Sequence, residues 1–221
     1  MKKVLIVMNN LLAGGAEKVL ITFLENFDYN KYKIDLFLFT KEGFFVNEIP
    51  ENVTLKYLFK VNDNYVNNIW QKILRKIFFK SLIHIKGSFL YKLIIKKNYD
   101  VEIAFMEGLN TKFVSLSTNT KSKKICWIHT DPYSKHWYKT YFKNIEEEIK
   151  TYKKFGNIVL VSNDALVGFT KLYPCNWNNL RVIYNPIDVN KINEFSNKLN
   201  VVNEQLTICS RSEERRVGKE C

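Results

Sequence analysis

The chain carries little with which to bind a metal or cross a membrane. Its four cysteines, Cys126, Cys175, Cys209 and Cys221, form no CxxC pair and no Cys/His ligand spacing. That argues against a zinc module, and no metal is expected. Scattered thiols fit a reducing cytosol, where most serve as small core residues. No apolar run approaches the roughly 20 residues of a membrane-spanning helix. GxGxxG is absent, which disfavours a dinucleotide oxidoreductase. No internal repeat or low-complexity segment stands out. Acidic residues are also scarce: 22 Asp and Glu face 34 Lys and Arg, for a net charge of +12. Such a surplus attracts anions, whether nucleic acid, anionic lipid or a sugar nucleotide. No recognised nucleic-acid-binding motif is present, so nucleic acid is the least favoured of the three.

What remains is ordinary globular material, 46% hydrophobic and 25% charged in 221 residues. The opening "MKKVLIVMNNLLAGGAEK" resembles an export signal on the surface. Its apolar run, Val4 to Met8, is short and is interrupted by Asn9 and Asn10, so it reads as a buried first strand. "GGAEKVLITFLENF" then places Val19, Leu20, Phe23, Leu24 and Phe27 at helical spacing. Further strands are expected at "KIDLFLFT", "VTLKYL", Val101–Met106, Lys124–His129 and Asn157–Ser162, and a last strand with its exit loop at Arg181–Asp188. Helices are expected over Tyr65 to Lys97, Ser134 to Lys154 and Ala165–Leu172. Strands alternating with helices predict an α/β fold, a doubly wound parallel sheet spanning Met1 to Leu199. The polar segment Ser196–Gln205 is the best boundary, and Gln205–Ser210 reads as one more strand.

Ligands of such sheets sit beyond the carboxyl ends of the strands. Gly14 and Gly15 lie there, between the first strand and its helix. Without a Cβ, their backbone N–H groups can approach a phosphate or sugar, helped by the helix dipole; a simple tight turn explains them equally well. Glu17 falls in the first helical turn, where a carboxylate also caps. Glu107 ends Val101–Met106, where it could meet an acceptor hydroxyl or cap the next helix. His129 ends the "CWIH" strand and could bond a sugar hydroxyl or meet developing charge, or be structural. Asp131 could orient His129, bind a hydroxyl or be solvated, and Pro132 turns the chain. Asn185 and Pro186 read as structural. The basic, aromatic stretch Ile69–Lys97 could lie on an anionic membrane or pack its apolar face on the sheet.

"GGAEKVL", "MEG", "WIH", "VSND…F" and "VIYNPID" occur in the order and spacing of the GT4 glycosyltransferases, and Lys3 to Ser210 resembles the front half of such an enzyme. The resemblance implies the N-terminal, acceptor-side half of a GT-B fold, with Rossmann-like topology. It implies retaining transfer from a UDP- or GDP-sugar to a glycan or lipid-linked acceptor, without a cofactor. It assigns His129 a catalytic role. Gly14 and Gly15 match the loop beside the donor phosphates and reacting sugar. Glu17, Glu107 and His129 match positions lining the sugar and acceptor, and Asp131 is grouped with the binding residues. Asn163 departs from the Ser-Glu that relatives often carry after Ser162. On this reading residues 1–199 form the acceptor-side domain. Residues 200–210 form a linker and the first strand of a truncated donor-binding domain. Arg211–Cys221, "RSEERRVGKEC", is similar to a sequencing adapter in translation. The expected location is the cytoplasm, with peripheral attachment at the inner face of the membrane. Competing readings are another GT-B enzyme, such as a sugar-nucleotide epimerase, and a nonenzymatic basic membrane-binding module.

Overall fold

Strand β1 (Lys2–Met8) is buried from Val4 onward on both faces, as a continuous apolar run in the middle of a parallel sheet must be. The computed structural model describes residues 1–61, 73, 77, 78 and 87–198. β1 is followed by α1 (Gly15–Glu25), β2 (Tyr32–Lys41) and β3 (Val53–Lys60), then α2 (Ser88–Ile94) and β4 (Val101–Ala104). Next come α3 (Leu109–Ser115), β5 (Lys123–Ile128), α4 (Ile145–Tyr152), β6 (Asn157–Leu160), α5 (Asn163–Leu172) and β7 (Leu180–Val182). Short 3-10 turns occur at Phe44–Glu48 and Lys139–Tyr141. Most of the basic stretch Ile69–Lys97 lies outside the described residues, as do Gln205–Ser210 and Arg211–Cys221.

The seven strands pair in the order β3-β2-β1-β4-β5-β6-β7, all parallel. The order runs outward in opposite directions from β1 and β4. A switch point therefore opens between their carboxyl ends, the place where open α/β sheets form their crevice. Helices cover both faces, so the sheet is doubly wound and Rossmann-like. On one face Leu20, Ile21 and Leu24 of α1 pack against Ile6, Met8, Leu36 and Phe105. On the other, Phe113 of α3, Tyr152 of α4 and Phe169 of α5 pack against Val7, Phe39, Cys126 and Leu160. Each such large apolar side chain, fully buried, contributes about 2 kcal/mol before entropy is charged.

The helix expected from Ser134 to Lys154 is shorter in the structure. Its regular part starts at Ile145, where the Asn144 side chain accepts from the Glu147 amide at 2.9 Å and caps the helix. Upstream, His136 is drawn to buried Glu148, with Nε2 3.0 Å from Oε2, and Tyr138 is fully buried. Those tertiary contacts hold 131–142 as an irregular loop. The final strand, Leu180–Val182, falls at the start of the segment Arg181–Asp188 read as a strand with its exit loop. Ser162 caps α5 by accepting from the Ala165 amide at 3.1 Å, and Asn163 donates to the Tyr184 hydroxyl at 3.2 Å.

The chain divides into two units, Met1–Ile187 and Asp188–Cys221. The described part of the second holds α6 (Val189–Lys198). Asp188 starts that helix: its carboxylate accepts from the Lys191 amide at 3.0 Å.

Candidate functional site

Register brings the candidate residues to one rim. Val7 pairs with Ala104, and Ala104 with Cys126, so β1, β4 and β5 finish nearly level. The Gly14–Gly15 loop leaves β1, Glu107 follows β4, and His129 follows β5, with β4 between the other two strands.

The β1 loop is braced by the loop after β2. Leu11 N–H donates to the Glu42 carbonyl at 2.9 Å, and Phe45 N–H to the Leu11 carbonyl at 3.1 Å. Gly43 makes this approach achievable. Its φ is +121°, and a Cβ there would lie 2.0 Å from the Leu11 oxygen. Gly14 has extended backbone and gives α1 no side-chain cap. Gly15 is exposed and a Cβ on it would meet nothing within 4 Å, whereas one on Gly14 would lie 2.3 Å from a Glu17 carboxylate oxygen, which sits over the start of α1. Glu17 is half-buried; burial raises its carboxyl pKa, and a bond to its own amide pulls it back. The opening is thus a helix start with no capping side chain at Gly14, beside a rim where ligands of this topology sit.

Glu107 is fully buried. Its Oε2 accepts from the His129 amide at 3.0 Å. Its Oε1 accepts from the Thr130 hydroxyl at 2.7 Å and from the Trp137 indole at 3.3 Å. Burial raises its pKa, and these donors oppose the rise. Both oxygens are therefore occupied, and the group ties the exit of β4 to that of β5. Gly108, at φ +77°, allows the crowding: a Cβ would lie 2.7 Å from Cβ of Tyr138.

The His129 ring lies against Phe105, with centroids 5.2 Å apart, and stacks on Trp127 at 6.2 Å. Its Nε2 is buried with no protein hydrogen-bond partner. Desolvation lowers the ring's pKa to about 4, against a weaker opposing effect of the Phe105 backbone. At neutral pH His129 is a neutral imidazole whose Nε2 is sealed from solvent and unpaired within the protein.

Asp131 does not turn towards His129. It accepts from the Tyr133 amide at 2.9 Å, the Ser134 amide at 3.3 Å and the Ser134 hydroxyl, which closes the turn 131–134. The Ser134 hydroxyl first, then the turn amides, lower its pKa. The carboxylate packs so tightly on Gly168 of α5 that a Cβ there would lie 1.7 Å from Oδ1.

Thus Glu107 and His129 meet, Gly14–Gly15 lie at the neighbouring strand exit, and Asp131 shapes the loop instead. Sequence reasoning passed over Thr130, Trp137 and Gly43, and took Gly108 only as closing the Val101–Met106 strand with Glu107. Thr130 and Trp137 stand in the loop just after a strand's carboxyl end, which is a signal. The glycines reveal themselves only when the loops touch. Among the described residues no cluster of three or more His, Cys, Asp or Glu could hold a metal ion, and no helix is long and apolar enough to cross a membrane.

No protein-family model and no curated protein matches the chain. Solved structures do. One is Anabaena HepE in complex with UDP and glucose, at TM-score 0.58 and 16% identity over 90% of this chain and 50% of that one. HepE in complex with UDP-glucose aligns at TM-score 0.53 and 14% identity, over 90% of this chain and 51% of that one. The lipopolysaccharide outer core galactosyltransferase WaaB, in its apo form, aligns at TM-score 0.52 and 12% identity, over 86% of this chain and 47% of that one. The chain spans about half the length of these structures, and its sheet and helices match one half of a GT-B glycosyltransferase fold.

Proposed function

We propose that this chain is the acceptor-side half of a retaining glycosyltransferase of GT4 type, moving a sugar from a UDP- or GDP-sugar to a glycan or lipid-linked acceptor. The observation that carries the reading is the switch point. Exposed Gly15 at the exit of β1 and the neutral imidazole of His129 at the exit of β5 flank the exit of β4 there. HepE, whose fold is alike, holds UDP and glucose.

Each residue then has a role. The Gly14–Gly15 loop and the start of α1 face the donor diphosphate, where a departing negative charge gains from the helix dipole. His129 bonds a sugar hydroxyl through its ring, which requires Nε2, buried in this arrangement, to be uncovered. As a neutral ring it orients the sugar without adding a cation. Glu17 lines the sugar side. Glu107 acts one step back, by holding the backbone of His129 and Thr130. Asp131 sets the course of the loop that brings Trp137 to Glu107. The remaining donor contacts belong to a second half beyond these 221 residues. The net charge of +12 supports work at the cytoplasmic face of an anionic membrane. A sugar-nucleotide epimerase or a nonenzymatic module draws no comparable support.

The test is nucleotide release from a panel of UDP- and GDP-sugars, with a membrane extract as acceptor. The 221-residue chain is compared with a version extended through the coding sequence that follows Ser210. Acceptor-dependent release by the extended protein alone is expected. Release by the shorter chain would contradict this division of labour.

A further inference from the structure

At the opposite, amino-terminal edge of the sheet lies a pocket of about 570 Å³. Its walls come from Gly87 and Ser88 at the start of α2, Ser115 to Thr118 at the end of α3, Lys124 of β5 and Lys154 just after α4. It shares no residue with the rim that holds His129.

Its chemistry is one-sided. Lys124 Nζ donates to the Asn119 carbonyl at 3.0 Å, and Lys154 Nζ to the Ser115 carbonyl at 3.3 Å. Those bonds fix both ammonium groups in place, yet each carries three protons and spends one on its carbonyl. Among the described residues, no carboxylate comes within 4.0 Å of either ammonium. Hydroxyls of Ser88 and Thr118 share the wall, while that of Ser117 donates to Glu102.

Behind the wall sits Glu102, only 1% exposed and in register with Lys124. Its Oε2 has no hydrogen-bond partner within standard geometry, and neither does the buried Tyr91 hydroxyl beside it. Burial favours the protonated carboxyl, with Ser117 and Lys124 opposing.

We infer that this pocket binds a phosphate group, either as inorganic phosphate or as the end of a small phosphomonoester. Two fixed cations with spare protons, beside hydroxyl donors, suit a tetrahedral oxyanion. The volume exceeds what phosphate alone needs, so a monoester's organic part also fits. The inference is independent of the sugar-transfer reading, because no residue is common to both sites.

Thermal unfolding of the intact 221-residue chain tests it. Inorganic phosphate is titrated against chloride at matched ionic strength, and glycerol phosphate forms a second arm. Phosphate should raise Tm beyond chloride, and each of Lys124→Gln and Lys154→Gln should weaken the apparent affinity about tenfold, the usual worth of a hydrogen bond to a charged group. Tighter binding of glycerol phosphate would identify a monoester site; equal binding would identify a site for the phosphate alone. If the Lys124 variant fails to fold, exposed Lys154 carries the test. A wild-type Tm that phosphate leaves unmoved relative to chloride would overturn the inference. So would an equal response in Lys154→Gln.

Discussion

Replacing His129 by Gln should flatten part of the acid limb of the stability profile. The ring's pKa is about 4 in the folded chain, against 6.5 for the free side chain. A base with a depressed folded pKa contributes stability that is present above the unfolded pKa and is lost as pH falls towards the folded one. The window is therefore pH 6.5 down to 4. The fall from 6.5 to about 4 amounts to about 3 kcal/mol, at 1.36 kcal/mol per tenfold step, most of it between pH 7.5 and 4.5. Urea unfolding of both proteins at those two pH values measures it. Wild type should lose roughly 2–3 kcal/mol more than His129→Gln on acidification. Comparing the two losses removes the contribution of the carboxylates, which both proteins share. Equal losses would show that the ring is not held neutral by burial, and the role proposed for it at the rim would fall.

Glu107→Ala leaves three donors without an acceptor. It should cost about 4 kcal/mol in urea unfolding, and Glu107→Gln roughly half as much. Because the Glu107 pKa is raised, its favourable part is present below 4.5 and fades as pH rises, so wild type should exceed Glu107→Gln by most at acid pH. Gly43→Ala forces a Cβ to within 2.0 Å of the Leu11 carbonyl at φ +121°, and a thermal melt should show a loss of about 2 kcal/mol or more. Cosedimentation with liposomes of rising anionic content should show weak, salt-sensitive binding through Ile69–Lys97. Binding that ignores lipid charge would reject that membrane role.

The sheet was legible where burial acts on runs of residues. Val4 to Met8 is apolar throughout because β1 meets helices on both faces, and such a run reads as a central strand without further help. Placing His129 and Glu107 at strand ends followed from the same runs. What each carboxylate does there was not legible. Glu107 and Asp131 both follow strands by a few residues. One is sealed behind the His129 amide and the Trp137 indole, while the other closes a turn against Gly168. Sequence position is common to both fates, and only tertiary packing separates them. The stretch Ser134 to Tyr141 misled for a related reason. Its charges and aromatics suit a helix, but bonds from His136 to Glu148 and burial of Tyr138 outweigh that modest propensity. Gly43 and Gly108 matter through loops distant in sequence; Gly108 stood out beside Glu107 at a strand end, but the crowding that needs it shows only once the loops touch.

The central claim is that sugar moves at the rim where His129 stands. Its most direct test is the turnover of a matched sugar nucleotide by the protein extended past Ser210, with His129 intact or replaced by Ala. A bond from this ring to a sugar hydroxyl, formed fully in the transition state, is worth about 1.4 kcal/mol, or tenfold in rate. His129→Ala should therefore lower kcat/KM at least about tenfold while the folded fraction at pH 7.5 stays near wild type. Equal turnover by the two proteins would contradict the account.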